Sequence, residues 1–528
     1  MPDEANPNAR ACMMPTRAAS QRLNDRNHCT VHLMHPAFLS IGAARALMTV
    51  ASVTAASHAL AQATTAGVSE VPIQLDLGFE RVKLPGDESM GLLGGSVLFP
   101  LGHQWWAGPT VYGAASGQRG GLFVGGAELQ RHWALPWQWD LRTGVYAGGG
   151  GGAAAPVGGG LMLRYAATLT HPIGPLRGGV SWSHVRFPSG DIRSSQVGLV
   201  LSWERPFRYF NDSDAVGRPQ PASGPTGLGF QHLAGTASVY SLRGSDTRRL
   251  GLIGGRAEWQ PASNGVFTAL EAAAAASGGA GGYMEILGDV GWRWSPWPST
   301  VPLALETRLG LGLGGGGGVP TEGGPIGKWS LGVSTSWPSG WRAGIEVGEV
   351  RGIGSPLRGR AGQLWVAMPL EAAPDVPAGG TVTRNEWSAV LQHHVRVRRN
   401  DGSTQSLDTV GMKLNRYIGA HTYLSAQAHS AYAGGAGAYS IGLIGAGLAT
   451  KPRGGARFGA EVLAGAAGGG GVASGSGAVV QSLAWAGWAA TPESQWRVGI
   501  GAIKALRGDM RSGVLEIGWT RALGLGGP

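Results

Sequence analysis

Cysteine is nearly absent: the chain has 2 in 528 residues, Cys12 and Cys29. Both precede the point where an exported chain is expected to begin, so disulfides and cysteine-based zinc sites are excluded beyond it. Charge is also scarce, at 14%, while 20 tryptophans are present, which excludes a disordered chain. No Lys/Arg block of the kind that follows a nucleic-acid backbone stands out, although the net charge is +10. Beyond residue 61 no uninterrupted apolar run is long enough to cross a bilayer as a helix. If this chain lives in a membrane, it does so as strands.

Glycine is abundant instead, at 93 residues. It has no three-residue period, so collagen is excluded. A helical bundle is disfavoured, because each glycine in a helix interior costs about 1 kcal/mol. Residues 46–61 form an apolar run behind Arg45 that ends in Ala59-Leu60-Ala61, a small-x-small cleavage pattern. This reads as a secretory signal peptide cleaved after Ala61, and it implies export to the cell envelope. The surplus positive charge then suits anionic lipid headgroups or an acidic exported polymer better than nucleic acid.

Alternation with a period of two marks strands. Leu303, Leu305, Thr307, Leu309, Leu311 and Leu313 fall on one face, and Ala304, Glu306, Arg308, Gly310 and Gly312 on the other. Residues 195–204 and 283–294 alternate in the same way, with tryptophan near strand ends. Turns switch between two classes. One is short and carries proline and tryptophan, as at 135–137, 295–298 and 336–341. The other is glycine-rich or charged, as at 85–89, 243–249 and 398–403. Long strands, an aromatic girdle and alternating short and long connections predict a transmembrane antiparallel β-barrel.

A threefold internal repeat organises the chain. Each unit has a glycine-rich element (116–121, 277–282, 433–438), then a glycine run (148–152, 314–318, 468–471). The divisions expected are an N-terminal extension and signal peptide at 1–61, repeat units at 62–205, 228–370 and 386–528, and linkers at 206–227 and 371–385. Each unit holds eight strands; in the second they are expected near 229–242, 249–259, 265–276, 282–294, 301–313, 327–337, 341–351 and 360–368. The expected architecture is one 24-stranded ring, because the interior of an eight-stranded barrel must be filled and the inward positions read as glycine and alanine. Three tandem eight-stranded barrels are the alternative.

An acid column, Asp140, Glu306 and Glu461, lies on the polar face of the fifth strand of each unit, with Arg142 and Arg308 two residues on. These are candidates for a lumenal site for cationic or hydroxyl-rich solutes, set against acids paired inside the wall. A second column, in the seventh strand, reads His184, Glu349 and Lys504; three chemistries at one place exclude a shared catalytic role. Arg193, Arg358 and Arg511 recur after it and suit lipopolysaccharide phosphates or plain solvation. The glycine runs lack the Lys-Ser/Thr ending of a phosphate loop and read as outer loops. The adjacent His393 and His394 face opposite ways and cannot share a metal. No catalytic residue, cofactor or metal is assigned.

The segment Ser181–Ser195, which includes His184, faintly resembles the histidine strand of lipid A deacylases, whose fold is an eight-stranded outer-membrane barrel. That resemblance implies a serine two residues after the histidine; Arg186 stands there. The leader, alternation and turns together resemble Gram-negative outer-membrane β-barrels. The expected function is a non-enzymatic pore or translocation channel in contact with outer-membrane lipid and lipopolysaccharide, passing a small solute or an exported polysaccharide. A deacylase-like lipid hydrolase using His184 and a structural or surface-interaction barrel are the alternatives.

Overall fold

The computed structural model describes residues 64–65, 68–211, 216–217, 219, 225–260, 264–297, 302–371 and 380–527. The leader and its cleavage site, and parts of both linkers, lie outside these residues. Apart from the two-residue strand Thr64–Thr65, the described residues form twenty-four long antiparallel strands, closed in three sets of eight.

The first set runs through Val68–Lys83, Ser89–Gly102, Trp105–Ser116, Phe123–Ala134, Asp140–Gly151, Met162–Ile173, Leu176–Arg186 and Arg193–Phe210. Its first and last strands pair from Val68 opposite Phe210 to Glu80 opposite Gly198, which closes the ring. The second set comprises His232–Leu242, Arg249–Trp259, Val266–Ser277, Met284–Trp294, Leu303–Gly315, Pro325–Ser336, Arg342–Gly352 and Arg358–Pro369. It closes by pairing His232–Leu242 with Arg358–Pro369. The third comprises Val382–Arg398, Thr404–Tyr417, Thr422–Ala433, Ser440–Ala449, Ala456–Gly468, Ala478–Ala489, Ser494–Ala505 and Arg511–Gly526, closed by Val382–Val395 against Gly513–Gly526.

The single 24-stranded ring is therefore corrected to three eight-stranded barrels. The reason is what points inward. The lumens are filled by large side chains such as Tyr240, Tyr283, Arg256, Arg308 and Glu271, all buried. Much of the glycine and alanine instead faces the neighbouring barrel, as at Gly255, Ala272, Ala426 and Gly442. The strands of the first barrel run to Phe210, and those of the third start at Val382.

All three barrels begin at one end, where the short turns bearing proline and tryptophan, such as 135–139 and 337–341, and both linkers lie. The glycine-rich and charged connections lie at the other, the loop end. The exteriors are apolar, with Leu199 66%, Val347 63% and Ile500 66% exposed. Exposed tryptophans collect at the linker end, among them Trp137, Trp337, Trp341 and Trp488, with Trp292 and Trp294 stacked at 6.0 Å. An oily band edged by indoles is the surface a barrel turns to lipid.

The glycine elements are joints between barrels rather than free loops. Gly120 N–H donates to Glu322 O of the second barrel at 2.5 Å, and Gly437 N–H of the third donates to Gly158 O of the first at 3.1 Å. Between second and third barrels, a Cβ on Gly281 would stand 2.5 Å from Gly475 O. Each glycine-rich element thus meets the segment around the next barrel's glycine run: first to second, second to third, third to first. Head-to-tail contacts of this kind close into a ring. At the linker end, Phe99 and Phe207 of the first barrel meet Trp387 of the third at 5.6 and 5.5 Å. Arg205 lies over the Trp259 ring of the second barrel at 4.8 Å, and Arg416 donates to Leu370 O at 2.7 Å.

Candidate functional site

The lumens are the first candidate. In the second barrel, Arg308 bonds to Glu271 at 2.9 Å, Asp289 at 3.0 Å and Glu346 at 2.7 Å. Arg256 reaches Glu258 and Glu346, both at 2.9 Å, and Lys328 reaches Glu271 at 2.7 Å. Nearer the loop end, the Tyr240 and Tyr283 hydroxyls donate to Glu285 at 2.6 and 2.7 Å, beneath a plug that includes Leu242, Leu252, Ile326 and Val350. The third barrel repeats the design with different residues. Lys413 joins Glu461 at 2.6 Å and Glu516 at 2.9 Å, and Arg497 joins Glu461 at 3.1 Å above Trp485. In the first, Arg164 pairs with Glu80 at 3.1 Å and Ser183 donates to the same carboxylate at 2.6 Å. Removing a charge from water is costly, so such groups persist inside only when paired and hydrogen-bonded. The space left in the first lumen is 40 Å³, among Asp76, Glu80, Glu128, Arg142 and Arg164. That is room for little more than one or two waters.

The acid column lies within these networks. Asp140 accepts from Arg142 Nε at 2.6 Å. Glu306 does not pair with Arg308; its partners are Arg293 at 2.6 Å and Arg342 at 3.1 Å. Successive same-face residues on one strand are neighbours, but a barrel this narrow also brings side chains together across its bore. Spacing along the chain reveals only the first kind of contact. Arg256, Glu271, Lys328, Glu346, Lys413, Arg497 and Glu516 escaped the sequence reading for this reason. Their signal was a charged residue at an alternate position inside an otherwise apolar strand.

His184 stands on the outer wall, where its Nδ1 is 2.8 Å from Ser195 Oγ across the strand pair. No carboxylate contact to His184 is recorded among the described residues, so the pair lacks the orienting acid that an acyl hydrolase requires. His393 bonds to Asp408 at 2.6 Å, while His394 is buried in the lumen. Arg193, Arg358 and Arg511 are each the first residue of an eighth strand, exposed at the loop end.

The second candidate lies between the barrels. Their facing walls line a partly open chamber of 1390 Å³, beyond the roughly 300–1,000 Å³ of an ordinary ligand pocket. Leu129 and Val145 line it from the first barrel, Ile253 and Leu270 from the second, and Met412 and Ile444 from the third. The glycine joints bound it at the loop end, and Phe99, Phe207, Trp387 and Arg521 at the linker end. Three closed eight-stranded antiparallel barrels are thus assembled in one chain.

No family model matches the sequence, and no curated protein matches it. Among solved structures, the chain is similar to the outer membrane protein OpdK from Pseudomonas aeruginosa, with 10% identity over 86% of this chain and 98% of that one, at a TM-score of 0.22. It is likewise similar to OccAB3 from Acinetobacter baumannii, with 9% identity over 87% and 100% at 0.21. The siderophore receptor PirA from Acinetobacter baumannii gives 10% identity over 87% and 81% at 0.27. TM-scores this low establish no common arrangement of strands, and the functional reading rests on this chain's own geometry.

Proposed function

We propose that this protein is a non-enzymatic outer-membrane barrel assembly whose solute space is the chamber between the barrels, and that the solute is a hydrocarbon chain. The outer-membrane setting is supported by the apolar exterior and its tryptophan girdle, and fits the leader expected at residues 46–61. An aqueous path through a lumen finds no support, since each bore is occupied by paired charges and an apolar plug. The observation that carries the proposal is the 1390 Å³ chamber itself. Its walls are mainly the outward, lipid-type faces of strands; Glu128 and Glu285 on those strands point into the lumens, and Arg521 stands at the linker-end edge. Water gains few hydrogen bonds along such walls, where Ser430, Ser440 and Arg521 are among the few polar side chains, and an empty space of that size forfeits its dispersion contacts. Hydrocarbon is the filler available at that depth.

Gly125 and Gly442 line the chamber, and a Cβ on either would meet nothing within 4 Å. The double variant Gly125→Phe, Gly442→Phe should therefore fold and partly fill the space. Solvent extraction and mass spectrometry of purified protein should find bound lipid on the wild type and markedly less on the variant. Planar bilayers holding folded protein should show no steady ionic current. Equal lipid on both proteins would sink the chamber reading and leave a structural or surface-interaction barrel, and a stable ohmic conductance would restore a lumenal pore.

A further inference from the structure

Strand register corrects one column of the sequence. The seventh and eighth strands of each barrel meet at the loop end on a rung of two basic residues: Arg186 opposite Arg193, Arg351 opposite Arg358, Lys504 opposite Arg511. All six are exposed. Lys504 thus belongs with Arg186 and Arg351. The rung of His184 and Glu349 is occupied in the third barrel by Ala502, opposite Gly513.

Like charges directly opposite one another on a sheet face are destabilising. One such rung would need no explanation on a basic surface, but the same rung recurs in all three barrels although the residues around it differ. Acidic relief is sparse. Arg351 bonds to Glu349 at 2.7 Å. Among the described residues no ion pair is recorded for Arg186, Arg193, Arg358, Lys504 or Arg511. Further bases share the rim: Arg81 and Lys83 are exposed on the strand that pairs with Arg193–Phe210, and Arg360 lies on the strand that Arg358 begins. Further along these strands the exterior turns apolar, with Val197 64%, Ile345 60% and Leu515 47% exposed. The rungs therefore stand where the oily band gives way to the loop end, and none of the six residues lines the central chamber.

We propose that each rung binds a phosphate group of a lipid headgroup, giving three anionic-lipid sites around the perimeter. A phosphate offers oxygens to two bases at once and removes their mutual repulsion. Arginine supplies a planar fork of donors matched to it. The lipid's chains then lie on the apolar wall toward the linker end. This inference rests on the membrane reading above but not on the chamber.

The test compares wild type with a variant in which all six residues are changed to glutamine (Arg186, Arg193, Arg351, Arg358, Lys504 and Arg511). Both are reconstituted in phosphatidylcholine vesicles containing either diphosphoryl or fully dephosphorylated lipid A carrying a fluorophore, and association is read by energy transfer from the protein's tryptophans. Wild type should bind the diphosphoryl form at least tenfold more tightly, with a preference that declines as salt rises. The variant should lose that preference while inserting normally. Neutralising only Arg186 and Arg193 should remove about a third of the sites. A folded variant that keeps the preference, or a wild type without one, overturns the proposal. If inorganic phosphate alone raises the unfolding temperature of wild type in detergent but not of the variant, the rungs are free-anion sites and the headgroup assignment is overturned. If neither protein enters vesicles, it is the membrane reading that falls.

Discussion

Arg308 illustrates how a single side chain closes a lumen. It holds Glu271, Asp289 and Glu346 together from three other strands. Arg308→Met would take one counter-charge from each of those carboxylates, and breaking a buried ion pair from one side costs about 3–5 kcal/mol. Urea unfolding of the reconstituted variant should show a loss of that order; a change under about 1 kcal/mol would mean that the network does not hold the barrel. Glu371 makes a different point, outside the barrel wall. Burial raises its pKa to about 8, against the charges of Arg416 and Arg205 and the amides of Gly229 and Thr226. The folded chain therefore keeps a proton that the unfolded chain releases above its ordinary value of 4.5. Its contribution is complete below that value and is lost as pH rises toward 8. The slope is at most about 1.4 kcal/mol per pH unit. Thermal unfolding in detergent from pH 5 to 8 should fall with pH in wild type and run flatter in Glu371→Gln; superimposed profiles would refute this.

At the scale of elements, the strands were legible in the sequence and the joints were not. Alternation placed the second barrel's strands to within a few residues, Val266–Ser277 against an expected 265–276 for example. A strand's two faces are fixed by its own side chains, so local sequence suffices. The glycine runs carry no such record. They read as outer loops because nothing nearby in sequence says what they touch: a Cβ on Gly149 of the first run would stand 2.7 Å from Ser430 O of the third barrel, and beside it Gly437 N–H donates to Gly158 O. A Cβ on Gly437 would lie 2.6 Å from Gly158 O and Gly160 N. Gly437→Val should therefore open this joint at a cost of about 1–3 kcal/mol, the usual range for overpacking. Hydrogen exchange should accelerate in 152–160 and 434–439 while the strands keep their protection. Unchanged exchange in those two segments would show that the contact carries no stability.

At the scale of the whole molecule, each barrel completes its own hydrogen-bond ladder and its own charge network. Among the described residues, the ion pairs of the second barrel run within that barrel, as from Arg256 to Glu346. The segment 228–371 expressed alone should then refold in detergent with a β-sheet circular dichroism spectrum and cooperative unfolding. Failure to refold would mean that the barrels form only together, through the joints and the chamber. The same autonomy explains why the lumen charges were legible as charges but not as plugs. Asp140, Glu306 and Glu461 look alike along the chain, yet each finds partners in a different arrangement across its bore.

The sequence by itself determined that this chain is made of strands, where most of them lie, which face of each is oily and that the turns come in two kinds. These properties belong to neighbouring residues and to a side-chain period of two. Tertiary structure alone decided how the strands close. Alternation is identical in a ring of eight and a ring of twenty-four, and only the pairing of Val68–Lys83 with Arg193–Phe210 tells them apart. That choice turns on bulk: arginine, glutamate and tyrosine fill a narrow bore, and the small residues are left to face the neighbouring barrels and the chamber between them.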